Sequence, residues 1–247
     1  MGRPLIVRCP EPVNITPEPG KPTLVKDGHV HAWFATLDAL QDRAERYRAL
    51  LDRSEADRAA RFLHDRDRLR YILGHGLLRE LLGRYVDAPA KDLELLRGRH
   101  GKPYLDGHPV HFNLSDTKDA ILIAIGMQPV GADVETMDRR TDHHRVAGHY
   151  FTPREVEGIR QAEDGKRRFL ELWTRKEAVL KACGVGLMDD LHSLEVGEPE
   201  NTMTISHPEF VRMAAAKYQV RTVRIGEQHL TSIACENDFP PFRLFQA

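Results

Sequence analysis

Trp173-Thr174-Arg175-Lys176-Glu177-Ala178-Val179-Leu180-Lys181 is the stretch on which the reading of this chain turns. It sits inside an apolar-periodic run from Phe169 to Cys183 that stops at Gly184, which predicts a helix with a glycine terminator. On that helix Trp173, Lys176, Glu177, Leu180 and Lys181 share one broad face, because their offsets from Trp173 are 3, 4, 7 and 8. A face that joins Trp to Lys, Glu and Lys is unusual for a simple buried stripe. Taken alone, it is still better described as an amphipathic helix with an ordinary Glu177-Lys181 ion pair.

Working upstream, Thr152-Pro153-Arg154-Glu155 is a helix start, with Thr as cap, Pro at the first turn and Glu three residues on. Gly131-Ala132-Asp133-Val134-Glu135 falls in a candidate strand, Val130–Glu135, where positions two apart project from one face. Asp133 and Glu135 therefore point together and repel unless a cation or proton lies between them, and hard oxygen donors favour Mg²⁺ or Mn²⁺. On spacing alone the acidic end of a solvated strand is the more economical reading, because D-x-E is common. Val110–Leu114 and Ala120–Ile125 are strands separated by the turn Ser115–Asp119. Gly101-Lys102-Pro103 and Phe112-Asn113-Leu114-Ser115-Asp116-Thr117 offer Lys102 and Ser115 to an anion, although a turn and a strand explain them equally.

Farther back, Leu69, Ile72, Leu73, Leu77 and Leu81 give one apolar face to a helix from Asp65 to Tyr85, in which Gly74 and Gly76 permit close packing. Asp52 and Glu55 have capping-box spacing for a short helix before it. Val30–Thr36 reads as a strand, and the Pro-rich residues up to Gly28 as an irregular arm. Downstream, Leu191–Val196, Tyr218–Ile225 and Leu230–Cys235 have β character. Each half runs from helices into strands, which gives an α+β class.

Composition narrows the function classes. The chain has 247 residues, 30% charged and 41% hydrophobic, a soluble globular mixture. No apolar run approaches the roughly 20 residues of a membrane span, and the first residues lack a secretory pattern, so a cytoplasmic protein without a membrane partner is expected. Cys9, Cys183 and Cys235 are too few for a disulfide framework or a Cys-rich zinc site. A net charge of −1 gives no electrostatic case for nucleic acid, although Arg and Lys crowd between Arg43 and Arg84. His143, His144 and His149 lack the matching ligands of a zinc site; with His29 and His31 they read as packing or surface residues, and Trp33 as a core aromatic.

Taken jointly, these motifs resemble the 4'-phosphopantetheinyl transferase superfamily, in its longer, surfactin-synthetase-activating form. Its G-x-D-x-E matches Gly131, Asp133 and Glu135, and its W-x-x-K-E-(A/S)-x-x-K matches Trp173, Lys176, Glu177, Ala178 and Lys181. Gly101-Lys102-Pro103 and Phe112-Asn113-Leu114-Ser115 match two upstream stretches, and Arg58, Arg61-Phe62, Arg70 and Gly74 are similar to the family's basic region. The family usually carries His after that serine; here the residue is Asp116.

The resemblance implies two similar α+β halves with the active site in the cleft between them, residues 1–128 holding coenzyme A and 129–247 the metal and catalytic groups. It implies a monomer that transfers the phosphopantetheine of coenzyme A to a serine of an apo acyl or peptidyl carrier protein of fatty-acid, polyketide or nonribosomal-peptide synthesis. Adenosine 3',5'-bisphosphate leaves. By the same resemblance Asp133, Glu135 and Glu177 hold Mg²⁺ or Mn²⁺. Glu177, directly or through a metal-bound water, takes the serine proton, Lys181 stabilises the separating diphosphate, and Lys176 assists or orients Glu177. Arg58, Arg61, Arg70, Lys102, Pro103, Ser115 and Asp116 join Asp133 and Lys181 around coenzyme A. A metal-dependent phosphohydrolase or nucleotidyl transferase, and a non-catalytic coenzyme A-binding relative, are the competing readings.

Overall fold

The computed structural model describes residues 2–21, 28–186 and 191–247. Along the chain come strands β1 (Arg3–Arg8), β2 (Val13–Asn14), β3 (Glu18–Pro19) and β4 (Val30–Thr36). Helices α1 (Leu37–Leu40), α2 (Ala44–Leu50), α3 (Arg53–Ala60) and α4 (Asp65–Val86) follow, then strands β5 (Leu95–Arg97), β6 (Pro103–Leu105), β7 (His111–Asp116), β8 (Ala120–Gly126) and β9 (Val130–Thr136). Next are helices α5 (His143–Tyr150), α6 (Pro153–Gln161) and α7 (Gly165–Cys183), strand β10 (Glu200–Ile205) and helix α8 (Pro208–Met213). Strands β11 (Lys217–Ile225), β12 (His229–Glu236) and β13 (Phe242–Gln246) complete the chain.

Two sheets organise these elements: β3-β13-β4-β8-β7, and β10-β1-β11-β12-β9 with β2 added on β11. Strand β8 shows why both of its faces are apolar. Ile121, Ile123 and Ile125 pack with Leu73, Leu77 and Leu81 of α4, whereas Ala120, Leu122 and Ala124 join Val130, Ala132, Val134 and Ile233 in a cluster shared by the two sheets. The third cluster gathers Phe169, Leu172 and Val179 of α7 with Leu5, Val7, Val220 and Leu230 of the second sheet. The expected α+β architecture of two halves is present.

The capping signals hold. Asp52 and Thr152 both make complete capping boxes, with Glu55 and Glu155, and Gly184 ends α7 in the left-handed conformation at φ 78°. Gly76 faces Tyr47, whose Cβ lies 2.2 Å from where a side chain would begin, so α2 and α4 touch there; Gly74 has only ordinary contacts. Trp33 is a core residue that donates to Tyr85 Oη at 2.9 Å, and the three cysteines are buried free thiols.

Two expectations fail. The Pro-rich arm is not all irregular: Leu5, Val7 and Cys9 alternate inward, and β1 enters the second sheet, antiparallel to β10 and parallel to β11. Conversely, β13 pairs with β4 in the first sheet. The chain ends are thus exchanged: β1 lies in the second sheet and β13 in the first. Leu191–Val196 is not a strand but a short 3₁₀ turn, Leu191–Ser193, followed by loop. Leu191, Leu194 and Val196 are buried, and the Val196 amide is satisfied by Glu155 Oε1 at 2.9 Å instead of by a neighbouring strand.

Candidate active site

Strand β9 is the edge of the second sheet and β7 the edge of the first. They meet through side chains instead of a backbone ladder: the Ala132 amide donates to Asn113 Oδ1 at 2.8 Å and the Val134 amide to Ser115 Oγ at 3.3 Å. This seam is where the polar residues of the sequence motifs gather. On the other face of β9, Gly131, Asp133 and Glu135 succeed one another toward α7. A Cβ on Gly131 would stand 2.0 Å from the Ala178 carbonyl oxygen and 2.2 Å from the Ala182 amide, so only glycine lets α7 lie this close.

The close approach brings Lys181 onto Asp133. Its Nζ lies 2.6 Å from Asp133 Oδ1 and donates to Ser115 Oγ at 3.1 Å, while Ser115 Oγ donates to Asp133 Oδ1 at 2.9 Å. Asp133 Oδ2 and Glu177 Oε1 are buried with no hydrogen-bond partner. Glu135 is paired instead with Arg139, which also lies over the Trp173 ring at 5.5 Å. Burial, followed by the charge of Asp133, pushes the Glu135 carboxyl up to about 7 and raises that of Glu177. Burial works against the charge of Lys181, but Asp133 and Glu177 outweigh it and its pKa is raised. Among the described residues no three His, Cys, Asp or Glu side chains converge as a ready-made metal cage, because Glu135 is drawn to Arg139.

Lys176 belongs elsewhere. It is fully buried, 2.8 Å from Glu155 Oε2, bonded to the Leu191 carbonyl at 3.1 Å and placed over the Phe151 ring at 4.7 Å. The broad helical face therefore splits: Trp173, Glu177 and Lys181, at steps of four, look into the site while Lys176 is a structural cation. Lys102 is also occupied. Its Nζ donates to the carbonyls of Val130, Lys181 and Ala182 at 3.0, 2.6 and 3.3 Å, tying the end of α7 to the first half.

Beside the seam a cavity of about 280 Å³ is walled by Arg58, Arg70, Tyr71, Arg97, Pro103 and Asp116, among others. The cavity on its far side, about 320 Å³, takes in Lys118, Glu135, Arg139 and Arg140, and both cavities include Arg70 and Asp116. Arg70 Nε lies 2.6 Å from Asp116 Oδ2, so that ion pair stands between the two spaces. Asp116 is neutralised by Arg70, not by Lys118, which pairs with Asp138. Arg58 covers the Tyr71 ring at 5.6 Å, and Tyr71 stacks on His75, itself 3.0 Å from Glu55. Arg61 is exposed and lies outside the lining of both cavities. Much of the basic run from Arg43 to Arg84 is consumed in ion pairs, including Arg46–Glu80, Arg68–Asp65 and Arg79–Glu55.

Arg97, Tyr71 and Arg139 were not singled out by sequence reasoning. Nothing local marks Arg97, at the end of β5, or Arg139, in the turn after β9. Tyr71 had a signal, one residue after Arg70 on a helix whose partly exposed face carries both.

Residues 129–234 match the model of the 4'-phosphopantetheinyl transferase superfamily, and residues 31–128 match that of the 4'-phosphopantetheinyl transferase N-terminal region. The 4'-phosphopantetheinyl transferase HetI of Nostoc is 31% identical over 207 residues, covering 81% of this chain and 84% of that protein. The chain belongs to the 4'-phosphopantetheinyl transferase superfamily. Within it, Sfp of Bacillus subtilis is 27% identical over 63% of this chain and 70% of its own length. The transferase gsp of Aneurinibacillus migulanus is 28% identical over 59% and 60%. No helix of the described residues is long and apolar enough to cross a membrane.

Proposed function

We infer that this phosphopantetheinyl transferase moves the phosphopantetheine arm of coenzyme A to the serine hydroxyl of an apo carrier protein, with Asp133, Glu177 and Lys181 at the reaction centre. The observation that carries this is the contact of Lys181 with Asp133 beside two buried, unpartnered carboxylate oxygens, Asp133 Oδ2 and Glu177 Oε1. Buried acceptors without donors are costly in an apolar setting and are relieved by a cation. The donor set is all hard oxygen, which suits Mg²⁺, with Mn²⁺ as a substitute. Asp133, Glu135 and Glu177 would hold it, and such an ion supplies Lewis-acid polarisation of the diphosphate.

The protein's own groups account for the remaining requirements. The serine oxygen bonds to the β-phosphorus while the bond from that phosphorus to the bridging diphosphate oxygen breaks, and adenosine 3',5'-bisphosphate leaves. Glu177, its carboxyl raised by burial and by the charge of Asp133, is placed to receive the serine proton. Lys181 faces the negative charge that grows on the leaving group. Arg58, Arg70 and Arg97 around the 280 Å³ cavity match the phosphates at the nucleotide end, with guanidinium forks suited to phosphate oxygens. Lys102 and Lys176 act through structure: one fastens α7 to the first half and the other fastens α7 to α6. A cytoplasmic monomer without nucleic-acid or membrane partners fits this reading, because one chain supplies both halves of the seam.

Incubation with coenzyme A, Mg²⁺ and apo carrier protein, followed by intact-mass measurement, tests it. The carrier gains one phosphopantetheine. Release of adenosine bisphosphate or phosphate with no carrier mass gain would instead favour a hydrolase. Size-exclusion chromatography with light scattering tests the monomer.

A further inference from the structure

Two of the protein's own cations hold the carboxylates of the seam, and they are held very differently. Lys181 projects from the middle of the α7–β9 contact and is bonded to both Asp133 and Ser115. Arg139 comes from the turn after β9, where its amide donates to the Thr136 carbonyl at 3.0 Å and folds the guanidinium back onto Glu135, four residues earlier. Its remaining contacts are Nε to Thr141 Oγ1 at 3.0 Å and the face of Trp173. The Arg139 side chain is 32% exposed and lines the 320 Å³ cavity, whereas that of Glu135 is 11% exposed.

Three carboxyl groups in so buried a place repel one another unless counter-ions are present. Arg139 satisfies Glu135, yet Asp133 Oδ2 and Glu177 Oε1 stay without partners. A single guanidinium on a surface turn cannot reach all three groups, while a small doubly charged ion among them can. We propose that Arg139 is a resident counter-ion that occupies Glu135 in place of a divalent cation and is released into the adjoining cavity when that cation binds. This rests on the reading of Asp133, Glu135 and Glu177 as the divalent-ion site. Once released, Arg139 joins Arg70, Lys118 and Arg140 on the cavity wall and adds positive charge where an anionic ligand lies. Arg139 is thus a positioning residue that couples the metal to the anion, and the swing uncovers one face of Trp173.

Binding of Mn²⁺ alone to the full chain, followed by electron paramagnetic resonance of the free ion, tests the competition. Arg139→Ala is expected to bind Mn²⁺ about tenfold tighter, and Arg139→Lys to stay within about threefold of the unaltered chain. Mg²⁺ titration in a Trp33→Phe background makes Trp173 the sole tryptophan reporter, since the chain has only two. Its emission should change saturably with Mg²⁺, and Glu135→Gln without metal should reproduce that change. If the chain binds Mn²⁺ but Arg139→Ala binds it equally or more weakly, the counter-ion role is overturned while the metal site stands. If no variant binds Mn²⁺, both fall. A Trp173 emission unmoved by Mg²⁺ and by Glu135→Gln overturns the release step, and a thermal melt on each variant excludes misfolding as the cause.

Discussion

Gly131→Ala puts the central geometry under the most direct test. The added methyl carbon would start 2.0 Å from the Ala178 carbonyl oxygen and 2.2 Å from the Ala182 amide nitrogen. Both are backbone atoms of α7, so no side-chain rotation removes the overlap. Ordinary contact requires the helix to withdraw from β9 by more than about 1 Å. Glu177 and Lys181 ride on that helix, and the 2.6 Å contact between Lys181 and Asp133 would open by a similar amount. Overpacking of this kind costs about 1–3 kcal/mol of stability, and a misplacement of about 1 Å at reacting groups costs roughly 100-fold in rate. Urea denaturation gives the first quantity and kcat/KM for carrier modification the second. The loss should appear in kcat more than in the KM for coenzyme A, because the arginine-walled cavity lies on the first half. An alanine variant within about 0.5 kcal/mol of the parent and within about twofold in kcat/KM would refute the claim that this glycine sets the helix-strand distance.

Four further outcomes are expected. Lys181→Ala should lower kcat per folded molecule by about 100- to 1,000-fold, on top of the stability lost by leaving buried Asp133 without its cation; near-normal turnover would remove it from the reaction centre. Lys176→Met should instead cost about 3 kcal/mol in urea denaturation, because it leaves Glu155 buried and unpaired, while activity per folded molecule at low temperature stays close to normal. Asp116→Asn removes one of the two carboxylates paired with Arg70, the other being Asp67, and should tighten coenzyme A binding by several-fold in calorimetry; an unchanged or weaker dissociation constant would argue against Arg70 as a phosphate ligand. In the metal-free protein, the Glu135 carboxyl at about 7 lies above its ordinary 4.5, so the folded state binds the proton more tightly. Its contribution, on the order of 3 kcal/mol, is fully present below about pH 4.5 and is lost as pH rises through about 7. Denaturation across that range should show a slope that Glu135→Gln flattens.

Local chemistry made much of this site legible before any coordinates. The capping boxes at Asp52 and Thr152, the glycine stop at Gly184 and the period-2 placement of Asp133 and Glu135 all depend on neighbours within a few residues, and each appears as read. The motif around Glu177 and Lys181 was legible for the same reason, since one helical turn sets which side chains align. What periodicity could not supply was the identity of whatever packs on each side. Lys176 and Glu177 are consecutive, and only the position of α6, with Glu155 pointing back, sends one lysine into the core while the glutamate faces the seam.

The chain by itself determined the α+β class, which follows from spacing along single elements, whereas the candidate carboxylates and the lysine that meets them were picked out by the resemblance of their joined motifs to a known family. Only the tertiary structure decided that β1 and β13 exchange sheets, that β7 and β9 join through Asn113 and Ser115, and that Arg139 answers Glu135. Strand partners and counter-ions are chosen across the fold, where a buried amide or charge takes whichever acceptor or opposite charge the packing brings within reach.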